Sequence, residues 1–60
     1  MKYVIKKVSD NTYLKVAKMA EIENCEWSID INEAKEVRIN FAEYFCKRFT
    51  EQFEILPSNQ

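Results

Sequence analysis

Residues 40–49 read NFAEYFCKRF. At about 100° of helical rotation per residue, Phe41, Phe45, Phe49, Ala42 and Cys46 fall within an arc of about 140°. They make one apolar stripe, broad enough to cover a sheet. Asn40 offers a cap, and Glu43 three residues on completes the spacing of a capping box. Glu43 and Lys47 stand in the favourable i,i+4 order. A helix is therefore expected from Asn40 to about Glu51. Its Phe-rich face is read as core, since amphipathic helices usually bury such a stripe.

The sheet under that helix is sought on both sides of it. Residues 2–8 (KYVIKKV) and 12–17 (TYLKVA) are rich in β-branched and aromatic types and read as two strands. Asp10 and Asn11 between them tolerate left-handed backbone, so a two-residue hairpin turn is expected there. That turn sets Ile5 opposite Val16 and Lys6 opposite Lys15. Two lysines side by side are tolerable only in water. The core face is then Tyr3, Ile5, Leu14 and Val16, and the other face carries Val4, Val8, Tyr13 and Ala17. Residues 53–56 (FEIL) read as a closing strand before Pro57, with residues 58–60 as a disordered tail.

The middle of the chain is less regular. Residues 22–29 are read as a loop or a short third strand, with Trp27 and Ile29 on one side. Trp27 is read as a large core piece rather than an exposed anchor. Asp30 followed by Glu33 has capping-box spacing, so a short helix is expected over Ile31–Glu36, then a brief extended segment at Val37–Ile39. The whole reads as one small α+β domain over residues 1–57: an antiparallel sheet, built from the N-terminal hairpin and short strands, with one Phe-rich amphipathic helix on one face.

Composition limits the chemistry. The chain has 60 residues, no histidine and no glycine. Without histidine, the commonest general base and metal ligand are missing. Without glycine, there is no phosphate-cradling loop. The expectation is a protein that is not an enzyme, with no catalytic, cofactor-binding or metal-binding residues. A domain of this size buries only about 60% of the surface its unfolded chain exposes, and such chains often lean on disulfides, a metal or a second copy. A disulfide between Cys25 and Cys46 is not favoured. No signal-peptide pattern and no membrane span are read, which implies a cytoplasmic protein with reduced thiols.

Net charge is −1 but unevenly spread. Residues 1–18 carry +4, residues 19–37 carry −5, and residues 38–60 are neutral. The acidic run Glu21, Glu23, Glu26, Asp30, Glu33 and Glu36 lacks the spacing of a calcium loop. It is read either as a solvated face or as a surface for a basic partner. The apolar Val4, Val8 and Tyr13 among Lys6 and Lys15 are read as an interface with another protein or with a second copy. The candidate partner-binding residues are thus Val4, Val8, Tyr13, Lys6, Lys15, Glu21, Glu23 and Glu26. The alternative is a nucleic-acid-binding regulator using the lysine-bearing hairpin face.

The opening MKYVIKKVSDNTYLKV, the middle WSIDINEAKEV and the helix NFAEYFCKRF together resemble short accessory proteins of phages and prophages of Gram-positive bacteria. The matching positions are Tyr3 and Tyr13, then Trp27, Asp30 and Ala34, then Ala42 and Glu43. The absent catalytic chemistry, the apolar second sheet face and the concentrated acidic segment lead to the expectation of a small stoichiometric interaction protein working as a homodimer, and the resemblance implies a phage accessory protein made inside the host cell that binds and disables a host factor, including defence systems. It carries over no site residues.

Overall fold

The computed structural model describes residues 1–58. Four strands form one antiparallel sheet: β1 (Tyr3–Lys7), β2 (Thr12–Val16), β3 (Glu26–Ser28) and β4 (Phe53–Pro57), in the spatial order β3-β2-β1-β4. One α-helix, α1 (Ile39–Arg48), packs on one face, and 3-10 turns occupy Ile22–Asn24 and Ile31–Glu33. This is the expected α+β fold with the Phe-rich helix across the sheet.

The hairpin turn is longer than expected. Lys7 pairs with Thr12 and Lys6 with Tyr13, so four residues, Val8–Asn11, make the turn. A two-residue turn of the favoured type needs positive φ at both central positions. Only Asn11 has it, at 56°. The Asn11 N–H closes the turn on the Lys7 carbonyl at 2.9 Å, while Asp10 is held by Lys7 Nζ at 3.2 Å. The register therefore moves by two residues. An even shift preserves faces, so Ile5 and Leu14 still point at the helix. It does separate Lys6 from Lys15, because Lys6 now faces Tyr13. Asn11→Ala puts a Cβ without a polar tip into left-handed backbone and is expected to cost about 1–2 kcal/mol, while Asn11→Gly holds stability within about 0.5 kcal/mol, both read by urea unfolding.

Beyond this turn the two hairpin strands part. Leu14 pairs with Trp27 and Val16 with Glu26, which leaves Lys15 as the extra residue of a β-bulge. A bulge bends its strand. Into the opened gap comes the segment of residues 35–37. The Lys35 N–H donates to the Leu14 carbonyl at 2.7 Å. Val37 and Tyr3 exchange two hydrogen bonds, at 2.7 and 2.8 Å. Those backbone groups of β1 and β2 would otherwise be orphaned at the splayed end.

This wedge explains two departures from the sequence reading. The helix expected over Ile31–Glu36 is only a 3-10 turn at Ile31–Glu33, because residues 34–37 must be extended to reach the gap; Ala34 already has φ −68° and ψ 141°. The long helix starts at Ile39 with Arg38 as the extended N-cap residue, so Asn40 lies inside the first turn and caps nothing. It also ends early. Phe49 leaves the helix at φ −116° and ψ 151°, since the chain must enter β4 at Phe53.

The core is aromatic. Ile5, Leu14, Ala42 and Phe45 are fully enclosed, with Cys25, Val37 and Phe49 close behind. The Phe45 ring meets Phe49 at 5.0 Å, Phe53 at 5.3 Å and Trp27 at 6.2 Å in edge-on geometry. Trp27 is half-buried and lies flat on Phe53 at 5.9 Å, with Lys7 Nζ 4.6 Å over its ring. Ile29, expected beside Trp27, is 84% exposed, because β3 ends at Ser28 and the chain turns away. Arg48 ties the helix end to the Ala20 carbonyl at 2.9 Å. Both cysteines are free thiols. The tail expected at residues 58–60 falls outside the described residues at 59 and 60, whereas Ser58 is anchored by its N–H to the Lys2 carbonyl at 2.8 Å and by its hydroxyl to Glu36.

Candidate functional site

The sheet face turned away from α1 carries Val4 and Lys6 of β1, Tyr13 of β2, Ser28 of β3, and Glu54 and Leu56 of β4. Sequence alternation places them together. Their surroundings divide them. Val4 is 3% exposed yet stands outside the aromatic core. Residues 31–36 fold over its end of the face, and Val4 shares a groove of about 200 Å³ with Ile31, Asn32, Ala34, Glu36, Pro57 and Ser58. The expectation that Val4 is an open contact is therefore corrected. Glu33 of the covering segment reaches Lys15 Nζ at 3.9 Å and accepts from the Ser28 hydroxyl.

Glu33 is thereby diverted from the capping box read in the sequence. Asp30 still caps the 3-10 turn, accepting from the Asn32 N–H at 2.9 Å. The Asp30 N–H, the group Glu33 was to satisfy, donates instead to Ser28 Oγ at 3.1 Å. One hydroxyl thus links the sheet, the cap and the acidic side chain.

The remaining candidates scatter. Val8 sits in the hairpin turn, 39% exposed. Tyr13 is half-buried between Lys6 and Ser28. Lys6 lies 3.9 Å from Glu54, so both candidate lysines stand near a carboxylate. Glu21, Glu23 and Glu26 are exposed around the first 3-10 turn and the start of β3. Glu33 and Glu36 of the same acidic run are taken up by Lys15, Ser28 and Ser58. Among the described residues, no three of the acids and cysteines gather as a metal site would require. No helix of the described residues is long and apolar enough to cross a membrane.

One feature escaped the sequence reading. Ile29, 84% exposed, and Ile31, 46% exposed, flank Asp30 in sequence, and Ile31 lines the groove. Apolar alternation at 27, 29 and 31 imitates a strand, and only the Asp30 cap signals that the chain turns out instead. Two isoleucines this open within three residues are the most exposed large apolar side chains of the middle of the chain, and Asp30, Glu33 and Glu36 accompany them in sequence.

Cys46 is half-buried on α1, and its burial pushes the thiol above its usual pKa. A raised folded-state pKa gives stability that is full below the unfolded thiol's pKa and is lost as pH rises through the folded value. Two results are expected: alkylation slower than in the urea-unfolded chain, and a small fall in the unfolding midpoint above about pH 8.5, absent in Cys46→Ala.

In comparisons with known proteins, no family model matches the chain, and no curated protein or solved structure matches it.

Proposed function

We propose that this chain is a non-catalytic protein-interaction module, which works stoichiometrically by covering a surface of a partner protein. The single observation that carries this reading is the pair of exposed isoleucines, Ile29 and Ile31, on either side of Asp30 in an acidic stretch of sequence that runs on through Glu33 and Glu36. An apolar centre with a charged rim is how protein interfaces combine affinity with orientation. The partner fitted to it offers an apolar depression ringed by lysine or arginine. The absence of histidine and glycine supports the same reading from the side of chemistry. With the resemblance to phage accessory proteins, the partner is a host protein and the outcome is its inhibition. Lys6 and Lys15 each stand near a carboxylate, which lowers the appeal of the hairpin face as a nucleic-acid surface.

A photo-crosslinking residue placed at position 29 tests this in cells. It is expected to trap a discrete protein adduct, while the same probe at exposed Lys47 on α1 traps none. Equal labelling from both positions contradicts the assignment. Ile29→Asp leaves stability within about 0.5 kcal/mol, as expected for an exposed site, and weakens capture of the adduct partner at least about tenfold.

A further inference from the structure

Among the described residues, the outer strand β4 has β1 as its one strand neighbour. Its hydrogen-bonding direction follows from the ends of the ladder. The Val8 N–H donates to the Gln52 carbonyl at 3.1 Å, and the Ser58 N–H donates to the Lys2 carbonyl at 2.8 Å. In the same register Lys6 faces Glu54 and Val4 faces Leu56, so the even-numbered residues of β4 bond to β1. Phe53, Ile55 and Pro57 therefore turn their backbone groups outward. This is why a proline fits in the strand: its missing N–H falls on the open side. The open edge offers two N–H donors, of Phe53 and Ile55, and three carbonyls, of Phe53, Ile55 and Pro57.

We propose that this edge pairs with the β4 edge of a second copy, antiparallel and centred on Ile55, so that one continuous sheet runs through a two-fold dimer. Three observations select this occupant. First, a chain this small often leans on a disulfide, a metal or a second copy. Its two cysteines are free, and among the described residues no group of three metal-ligating side chains gathers, so a second copy is the device of the three that remains open to it. Second, the edge presents half-buried Phe53, Ile55 and Leu56, apolar surface that a neighbouring strand covers. The other edge, β3, is only three residues long, a poor template.

Third, the sequence of β4 admits one good register. Centring on Glu54 sets the two Glu54 carboxylates directly opposite each other, a destabilising pair. Centring on Leu56 faces Ile55 with Pro57 and loses the donor that proline lacks. Centring on Ile55 gives reciprocal Ile55 bonds, adds Phe53 N–H to the Pro57 carbonyl of the partner copy on both sides, and sets Glu54 opposite Leu56. Glu54 and Pro57 thus fix the register rather than forbid pairing. The inference goes beyond the partner-binding reading and does not rest on it, because Ile29 and Ile31 belong to another part of the surface.

Sedimentation equilibrium of the synthetic full chain, from about 10 μM to about 1 mM, is compared with the same chain N-methylated at the Ile55 amide. The methyl group removes one outward donor and leaves every side chain and every bond to β1 in place. Wild type is expected to dimerise with a dissociation constant on the order of 100 μM, the weak regime of small interfaces. The methylated chain is expected to stay monomeric with an unchanged circular dichroism spectrum. In a mixed-isotope sample, Hα of Glu54 in one copy should lie against Hα of Leu56 in the other. A monomer throughout the range, a dimer indifferent to the Ile55 methyl group, or a Glu54-to-Glu54 contact overturns the proposal. Loss of dimerisation in the methylated chain with the position-29 crosslink retained separates it from the partner-binding reading.

Discussion

Phe45→Ala is expected to abolish cooperative folding. Phe45 is fully buried and is the largest enclosed side chain, touching Phe41, Phe49, Phe53 and Trp27. Truncating such a ring costs about 3–5 kcal/mol in transfer and cavity terms together. A single core in a chain below about 70 residues supplies roughly that much in total. The two numbers meet, so nothing remains to hold the fold. Urea titration followed by Trp27 fluorescence should lose its sigmoidal transition. Phe41→Ala, at a half-buried ring on the same stripe, should keep a transition at a lower midpoint. A Phe45→Ala protein that unfolds with the wild-type midpoint would mean that the aromatic cluster is not the centre of the structure.

Val37→Pro is the second large effect, and it tests the wedge. Val37 is buried, and its N–H meets the Tyr3 carbonyl at 2.8 Å. Proline deletes that donor and leaves an inward carbonyl without a partner, at a cost of about 1–3 kcal/mol, and the lost side-chain packing adds about 1 kcal/mol. Val37→Ala keeps the N–H and pays only the packing share. The difference between the two variants, read from urea midpoints at constant slope, isolates the backbone bond. Equal destabilisation by both would place residues 35–37 on the surface as an ordinary loop.

The legible part of this fold was the part written in periodicity. The Phe stripe, the two N-terminal strands and the closing strand at Phe53 each repeat a pattern over enough residues to be read locally. Ile5 and Leu14 were legible as core for a subtler reason: the register is shifted by two, and an even shift leaves faces unchanged, whereas beyond the Lys15 bulge the alternation is offset, so that Ala17, expected on the far side, packs against the core, and Val16, like Tyr3, is not part of it. What stayed hidden was set by contacts distant in sequence. The wedge of residues 35–37 exists because the Lys15 bulge opens β2 from β1. No local signal at Ala34 or Glu36 announces that need. For the same reason Val4, a strand residue on the supposed open face, ends up 3% exposed beneath a segment thirty residues away.

The candidate surface was harder to read than the fold. Tyr13 stands on the expected side of the sheet, Val8 lies in the turn rather than on that face, and Glu21, Glu23 and Glu26 are exposed. The pairings of Lys6 with Glu54 and Lys15 with Glu33 needed strand order and the covering segment, neither of which a single sequence encodes visibly. Ile29 and Ile31 were concealed by their own apolarity, which imitates a buried strand. The open edge of β4 follows from strand order, which puts no strand of the described residues on the far side of Ile55.

The segment of residues 31–37 closes the sheet face over Val4, and exposed apolar surface lies instead at Ile29, Ile31 and the β4 edge. Residue-resolved amide hydrogen exchange on dilute protein distinguishes this arrangement from a surface loop. The Lys35 and Val37 amides should exchange only through global unfolding, as slowly as the centre of β1, while the Phe53 and Ile55 amides exchange quickly. Rapid exchange at Lys35 and Val37 together with slow exchange at Ile55 would contradict it.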